Sequence, residues 1–138
     1  MLFRSVEAKD SGAATIAVWG DGTPTRDFLY VADAADAIVL ASERYTAPQP
    51  VNIGSGRDVS IADLARAIAD AVGFTGTLVW DGTRPNGQPR RRLDCSRAAT
   101  AFGFEARTDF RQGLRDTVEW YLTHRQTQPA AASLDRTH

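Results

Sequence analysis

Residues 51–80 read VNIGSGRDVSIADLARAIADAVGFTGTLVW, and the class of the fold can be taken from this stretch. Val51-Asn52-Ile53 is a short apolar run that predicts a buried strand ending at Gly54-Ser55-Gly56. Ser60 is placed to cap a helix, and Asp63 stands three residues on, as a capping box requires. Val59 before the cap and Leu64 inside the helix predict a hydrophobic staple. Ile61, Leu64, Ile68 and Val72 recur at helical spacing on one face, and Gly73 marks the stop. Thr77 to Trp80 (TLVW) predicts another strand. Strand, helix and strand in alternation make the class α/β.

On either side the same alternation continues. Ala14 to Trp19 (ATIAVW) predicts a strand, and Gly20-Asp21-Gly22-Thr23-Pro24 a turn. Arg26 to Val31 reads as a second extended stretch. Val31 to Arg44, rich in alanine and free of Gly and Pro, predicts a helix. Thr46 to Pro50 is a Pro-rich loop, and Asp81 to Pro89 a loop with two prolines and two glycines. Asp94 is read as the cap of a short helix that stops at Gly103. Asp109 with Gln112 forms a second capping box before the stripe Phe110, Leu114, Val118, Tyr121. Residues 1–12 read as a helix end or frayed start, and the chain turns polar and alanine-rich after His124. The elements are few and the strands short. The pattern therefore predicts one lobe of a larger α/β protein rather than a complete doubly wound domain.

Composition removes several function classes. At 138 residues the chain has room for one domain, and 43% hydrophobic with 24% charged residues is a globular balance. A formal net charge of −1 supplies no basic excess for nucleic acid or an anionic membrane surface. No apolar run approaches the roughly 18 residues of a membrane helix, and the start lacks a signal-peptide core. One cysteine excludes an internal disulfide, and two distant histidines argue against a zinc site. These features predict a soluble, cytoplasmic chain. Lys9 is the only lysine, so any lysine chemistry has to use it.

Four motifs bear on chemistry. Gly54-Ser55-Gly56 begins like a dinucleotide fingerprint, but the third glycine of G-x-G-x-x-G would fall at Val59, so a structural strand-to-helix turn is the better reading. Cys95 stands beside Ser96 and Asp94 with no histidine near it in sequence, which suits a packed residue better than a nucleophile. Arg90-Arg91-Arg92, flanked by Arg84 and Arg97, is either a solvated charged face or an anion trap, because guanidinium forks fit phosphates. The segment Trp19 to Arg26 says more. An indole leads into a Gly-Asp-Gly-Thr-Pro turn and an arginine at a strand entry: either a buried tryptophan and a surface arginine, or groups that pack on a base or sugar and hold a diphosphate.

Three blocks occur in order: VWGDGTPTRDFLYV (residues 18–31), VNIGSGRDVSI (51–61) and RPNGQPRRRLDCSRA (84–98). Together with DFRQGLRDTVEWY (109–121) they strongly resemble the C-terminal part of GDP-L-fucose synthases. That family belongs to the extended short-chain dehydrogenase/reductase superfamily of NAD-dependent epimerases and dehydratases. The resemblance runs from about Val18 to Leu122. The W-G-x-G-T-P-x-R and K/R-P-x-G-x-P-R blocks point to the fucose-synthase branch; the R-D-F and N-I-G-S-G blocks alone mark the wider superfamily.

The resemblance implies an NADPH-dependent epimerase-reductase acting on GDP-4-keto-6-deoxymannose. It implies that Trp19 and Arg26 bind the nucleotide sugar, that Asn86 contacts it, and that Arg84 contributes to the diphosphate. Asn86 stands where the family has aspartate, and Arg84 where lysine is common. The resemblance also implies what this sequence lacks. The family's cofactor domain, with its glycine fingerprint, lies N-terminal, and the Tyr-x-x-x-Lys motif is absent here. The expectation is a substrate-binding lobe at residues 14–124, with 1–13 the remnant of a preceding helix or linker and 125–138 a flexible tail. No catalytic, cofactor or metal residue is assigned to the chain itself. In the intact enzyme, expected to be a homodimer, NADP would be bound by the N-terminal Rossmann domain. Two other readings stay open: an epimerase or dehydratase for a different nucleotide sugar, and a stand-alone, non-catalytic binding module.

Overall fold

The computed structural model describes residues 1–125; the expected tail lies outside the described residues apart from Arg125. In chain order the elements are α1 (Leu2–Asp10), β1 (Thr15–Trp19), β2 (Thr25–Arg26), α2 (Val31–Arg44), β3 (Val59–Ser60), α3 (Ile61–Val72), β4 (Thr77–Asp81), β5 (Arg90–Arg91), α4 (Ser96–Phe102) and α5 (Phe110–His124). The class is α/β, with helices and a few short strands.

β1 and β4 pair in parallel, with Thr15 opposite Thr77 and Trp19 opposite Asp81. Such a pair needs a crossover, and the long connection between them includes α3. Alternation along β1 sends Ile16 and Val18 inward and leaves Thr15, Ala17 and Trp19 outward. Ile16 and Val18 join Val6 of α1, Ile68 and Val72 of α3, Phe74 and Val118 of α5 in the main core. A second, three-stranded sheet is minimal: β2 lies between β3, antiparallel, and β5, parallel. A smaller core gathers Ala37 of α2 with Ala98 and Phe102 of α4 and Phe104.

The helices follow their sequence signals closely. The hydroxyl of Ser60 accepts the Asp63 backbone N–H at 2.9 Å, and Gly73 closes α3 in the left-handed conformation at φ 72°. Asp109 accepts the N–H groups of Arg111 and Gln112 at the start of α5. Both capping boxes are one-sided. The Asp63 carboxylate takes the Ser60 hydroxyl instead of its backbone, and Gln112 turns outward to Asp116 and Arg115. Asp94 accepts the Ser96 N–H at 3.0 Å, one residue earlier than the geometric cap of α4 at Cys95.

Two strand expectations need correction. Val51-Asn52-Ile53 forms no strand, because no described segment supplies a ladder beside it. Val51 and Ile53 pack instead against the smaller core. The stretch from Arg26 to Val31 pairs only at its start, in β2. Beyond Arg26 a side chain takes over from the ladder. The Asp27 carboxylate accepts the backbone N–H of Ser55 (2.8 Å), the Ser55 hydroxyl (2.6 Å) and the backbone N–H of Gly56 (2.9 Å). Asp33, buried in the first turn of α2, similarly accepts the backbone N–H and hydroxyl of Thr108, each at 3.0 Å, tying α2 to the segment entering α5.

Candidate functional site

Trp19 and Asp81 are the last residues of two parallel strands, the end of an α/β sheet where ligand crevices form. Trp19 is 65% exposed, unusual for so large an apolar side chain. One face of its ring is covered: the Arg84 guanidinium carbon lies 5.2 Å from the ring centroid, within cation–π range. Arg84 Nε forms an ion pair with Asp81 Oδ2 at 3.6 Å. Asp81 Oδ1 accepts both the backbone N–H of Thr83 (3.1 Å) and its hydroxyl (2.5 Å), and the Asp81 carbonyl accepts the Gly20 N–H at 2.9 Å.

The turn after Trp19 is built the same way. Asp21 Oδ1 accepts the Thr23 N–H (2.9 Å) and hydroxyl (2.7 Å). These bonds, the backbone one first, hold the exposed Asp21 carboxyl below its ordinary value. Gly20 and Gly22 both have φ 80°. A Cβ on Gly20 would collide with Asn86 Oδ1, and one on Gly22 would meet the Trp80 ring at 2.7 Å, so chain and side chains leave room only for glycine. Asn86 Oδ1 is engaged by the Asp21 N–H at 2.9 Å.

Arg26 stands at the other end of the same loop. Its Nη1 donates to the carbonyls of Thr25 (2.6 Å) and Gln88 (2.7 Å). The loop from Arg84 to Gln88 thus touches Trp19 through Arg84, the glycine turn through Asn86 and Arg26 through Gln88. The four residues singled out in the sequence converge on this one loop. Three of them have structural roles: Arg26 and Asn86 tie down backbone, and Arg84 covers an indole.

The remaining motifs resolve into structure. Arg90 donates to Asp58 Oδ2 from Nε (2.9 Å) and Nη2 (2.6 Å), so one member of the arginine run is paired while Arg91 and Arg92 stay exposed. The Arg90 hydrogen bond leads the causes that lower the Asp58 carboxyl, and Asp58 in turn raises Arg90. Cys95 is partly buried, and burial, with the Asp27 charge second, pushes its thiol up, away from nucleophilic use.

Sequence reasoning missed Asp81 and Thr83. A signal was present: Asp-Gly-Thr occurs at 21–23 and again at 81–83, in each case within two residues of a tryptophan that lies near the end of a strand. Each tripeptide folds into an aspartate-anchored turn at its strand's end.

Residues 1–54, which contain Trp19 and Arg26, match the model of the NAD dependent epimerase/dehydratase family. GDP-L-fucose synthase 1 of Arabidopsis thaliana is 45% identical over 122 residues, 88% of this chain and 38% of that protein. Over these stretches the chain is similar to members of the epimerase/dehydratase family. A crystal structure of a GDP-L-fucose synthetase from Naegleria fowleri bound to NADP superposes with a TM-score of 0.85 at 29% identity, over 91% of this chain and 40% of that one. UDP-glucose 4-epimerase of Thermotoga maritima, solved with UDP-glucose, gives a TM-score of 0.76 at 27% identity, over 88% and 39%. The chain therefore spans about two fifths of the length of these family members.

The Gly54-Ser55-Gly56 turn does not suit the pyrophosphate of a dinucleotide. It already spends its Ser55 and Gly56 N–H groups on the Asp27 carboxylate, and an anion there would face that charge.

Proposed function

We propose that this chain is the nucleotide-sugar-holding part of a GDP-L-fucose synthase-like, NADP-dependent epimerase/reductase, and that it does not turn over by itself. The observation that carries the reading is the shared loop: residues 84–88 contact Trp19, Arg26 and the Gly20–Asp21 turn at the carboxyl ends of β1 and β4. The 45% identity to a GDP-L-fucose synthase supports the same assignment. The exposed face of Trp19 packs on the nucleotide sugar. The two terminal nitrogens of Arg84, which have no hydrogen-bond partner among the described residues, and the remaining donors of Arg26 neutralise the diphosphate. Asn86 keeps the turn in place and offers its amide to the ligand. Positioning of this kind supplies part of a rate enhancement, while hydride transfer and acid–base work belong to residues outside this chain.

An apolar face supports the idea that a second polypeptide body covers part of this one. Val31, Ile38 and Val39 of α2 are 73%, 64% and 54% exposed. A cavity of about 840 Å³, lined among others by Phe28, Tyr30, Phe110, Leu114 and Trp120, includes none of the four binding residues. Such surface is the expected mark of a face that is normally covered. The N-terminal Rossmann domain of the longer relatives is the proposed cover, with the intact enzyme a homodimer in the cytoplasm.

Calorimetry of the chain with GDP, UDP and dTDP tests the reading. Preferential GDP binding without NADPH, abolished by Trp19→Ala, is the expected result; no nucleotide binding would overturn it. A preference for UDP would favour a different nucleotide-sugar epimerase. Asn86 and Arg84, which depart from the fucose-synthase pattern, and the likeness to a UDP-glucose epimerase are the observations behind that second reading.

A further inference from the structure

We infer that Asp81 is a positioning residue for the nucleotide-sugar site: it holds the Arg84 guanidinium against one face of Trp19, so that the indole offers only its other face to a ligand and Arg84 presents its terminal nitrogens at the edge of that platform. The inference rests on the functional reading above and adds a residue to it.

The geometry comes from register. Asp81 is the parallel-strand partner of Trp19, so both stand at the same level of the sheet. Its two carboxylate oxygens are divided between two tasks. Oδ1 closes the turn through the Thr83 N–H and hydroxyl, and Oδ2 faces Arg84 Nε at 3.6 Å. The Arg84 N–H also donates to the Asp81 carbonyl at 3.2 Å, which fixes the backbone from which the guanidinium folds back over the ring at 5.2 Å. Arg84 is a long side chain with more than half its surface exposed. Without a carboxylate at its Nε it would sample many rotamers, and ordering it on ligand binding would then cost conformational entropy. With Nε engaged, the Nη1–Nη2 edge remains for two parallel hydrogen bonds to a phosphate. The stack also fixes polarity: a cation on one face of the indole leaves the opposite face for a neutral ring.

The test labels the chain with 5-fluorotryptophan, whose three ¹⁹F signals come from Trp19, Trp80 and Trp120; Trp19→Phe assigns the first. Arg84→Gln removes the cation and moves the Trp19 signal. Asp81→Asn keeps an acceptor oxygen for the Thr83 turn but loses the charge, and is expected to move the signal in the same direction, with the double variant moving it no further. An unmoved Trp80 signal reports that the sheet is intact. Thr83→Val removes a turn hydrogen bond and leaves the carboxylate, and is expected to leave Trp19 in place. The inference is overturned if Asp81→Asn leaves the Trp19 signal at its wild-type position, or if Thr83→Val moves it as much as Asp81→Asn does. In GDP titrations of the same samples, Arg84→Gln and Asp81→Asn are each expected to weaken binding by about tenfold, and not multiplicatively in the double variant. Additive losses would overturn the coupling. The fluorine readout needs no ligand, so failure of the wild-type chain to bind GDP would count against the functional reading alone.

Discussion

Among single residues, the candidate site is made of side chains that are committed to their own neighbours. Asn86 shows this: its oxygen is committed to the Asp21 N–H and fills the space a Cβ at Gly20 would need. Gly20→Ala therefore meets both a positive φ and a collision, and should lose more than about 1 kcal/mol of stability in urea unfolding. Arg26→Ala removes a guanidinium whose one nitrogen ties down two carbonyls. It should weaken nucleotide-sugar affinity by tenfold or more, the size of a lost charged hydrogen bond of about 1.5–3 kcal/mol, while shifting thermal stability less. Calorimetry and a thermal melt on the same variant separate the two effects. The residue types at positions 19, 26, 84 and 86 were legible in the sequence. That Arg84 would stack on Trp19 was not, because the two are far apart in the chain and only strand register brings them together.

Among the elements, helices were read well and strands less well, and the reason is locality. A helix carries its own hydrogen bonds and caps, so Val31–Arg44 and Ser60–Gly73 could be bounded from neighbouring residues alone. A strand exists only with a partner. Val51-Asn52-Ile53 has the composition of a strand and no described ladder, while β1 and β4 have one and form. Ser60→Ala should cost about 1 kcal/mol in denaturant unfolding through loss of the α3 cap. Asp27→Ala goes deeper, since it strips the acceptor from the Ser55 and Gly56 amides and the Ser55 hydroxyl at once. It should destabilise by about 2–3 kcal/mol, and Asp27→Asn by less, because it keeps one acceptor oxygen.

For the molecule as a whole, charge and exposed apolar surface set behaviour in solution. Asp21, Asp58 and Asp94 all have carboxyls below the ordinary value of 3.8, held by Thr23, Arg90 and the Ser96 backbone N–H respectively. A depressed folded value means the unfolded chain binds protons more readily. The stability these groups contribute is therefore fully present above the unfolded value and is lost as pH falls through the lower folded ones. Asp58→Asn should flatten the acid limb of a pH–stability curve, and high salt should flatten it too, because the Asp58–Arg90 pair is solvent-facing. The open α2 face predicts concentration-dependent self-association in sedimentation velocity. Replacing Val31, Ile38 and Val39 with polar residues should reduce it without lowering the melting temperature, since more than half of each side chain faces solvent in the described fold. A concentration-independent monomer would argue against a covered face.

Read along the chain alone, neighbouring residues were enough to set the limits of α2 and α3, the Ser60 and Asp109 caps, the glycine turns, the α/β class and the aromatic and arginine positions of the candidate site. Only tertiary packing settled which extended segments became strands, that the glycine turn at 54–56 would close on Asp27 and not on a phosphate, and that Asp81 would stand beside Trp19. The division is physical. Caps and turns are satisfied within a few residues, whereas ladders, ion pairs and stacked rings depend on which distant segment arrives alongside, and that is set by the packing of α1, α3 and α5 around β1 and β4.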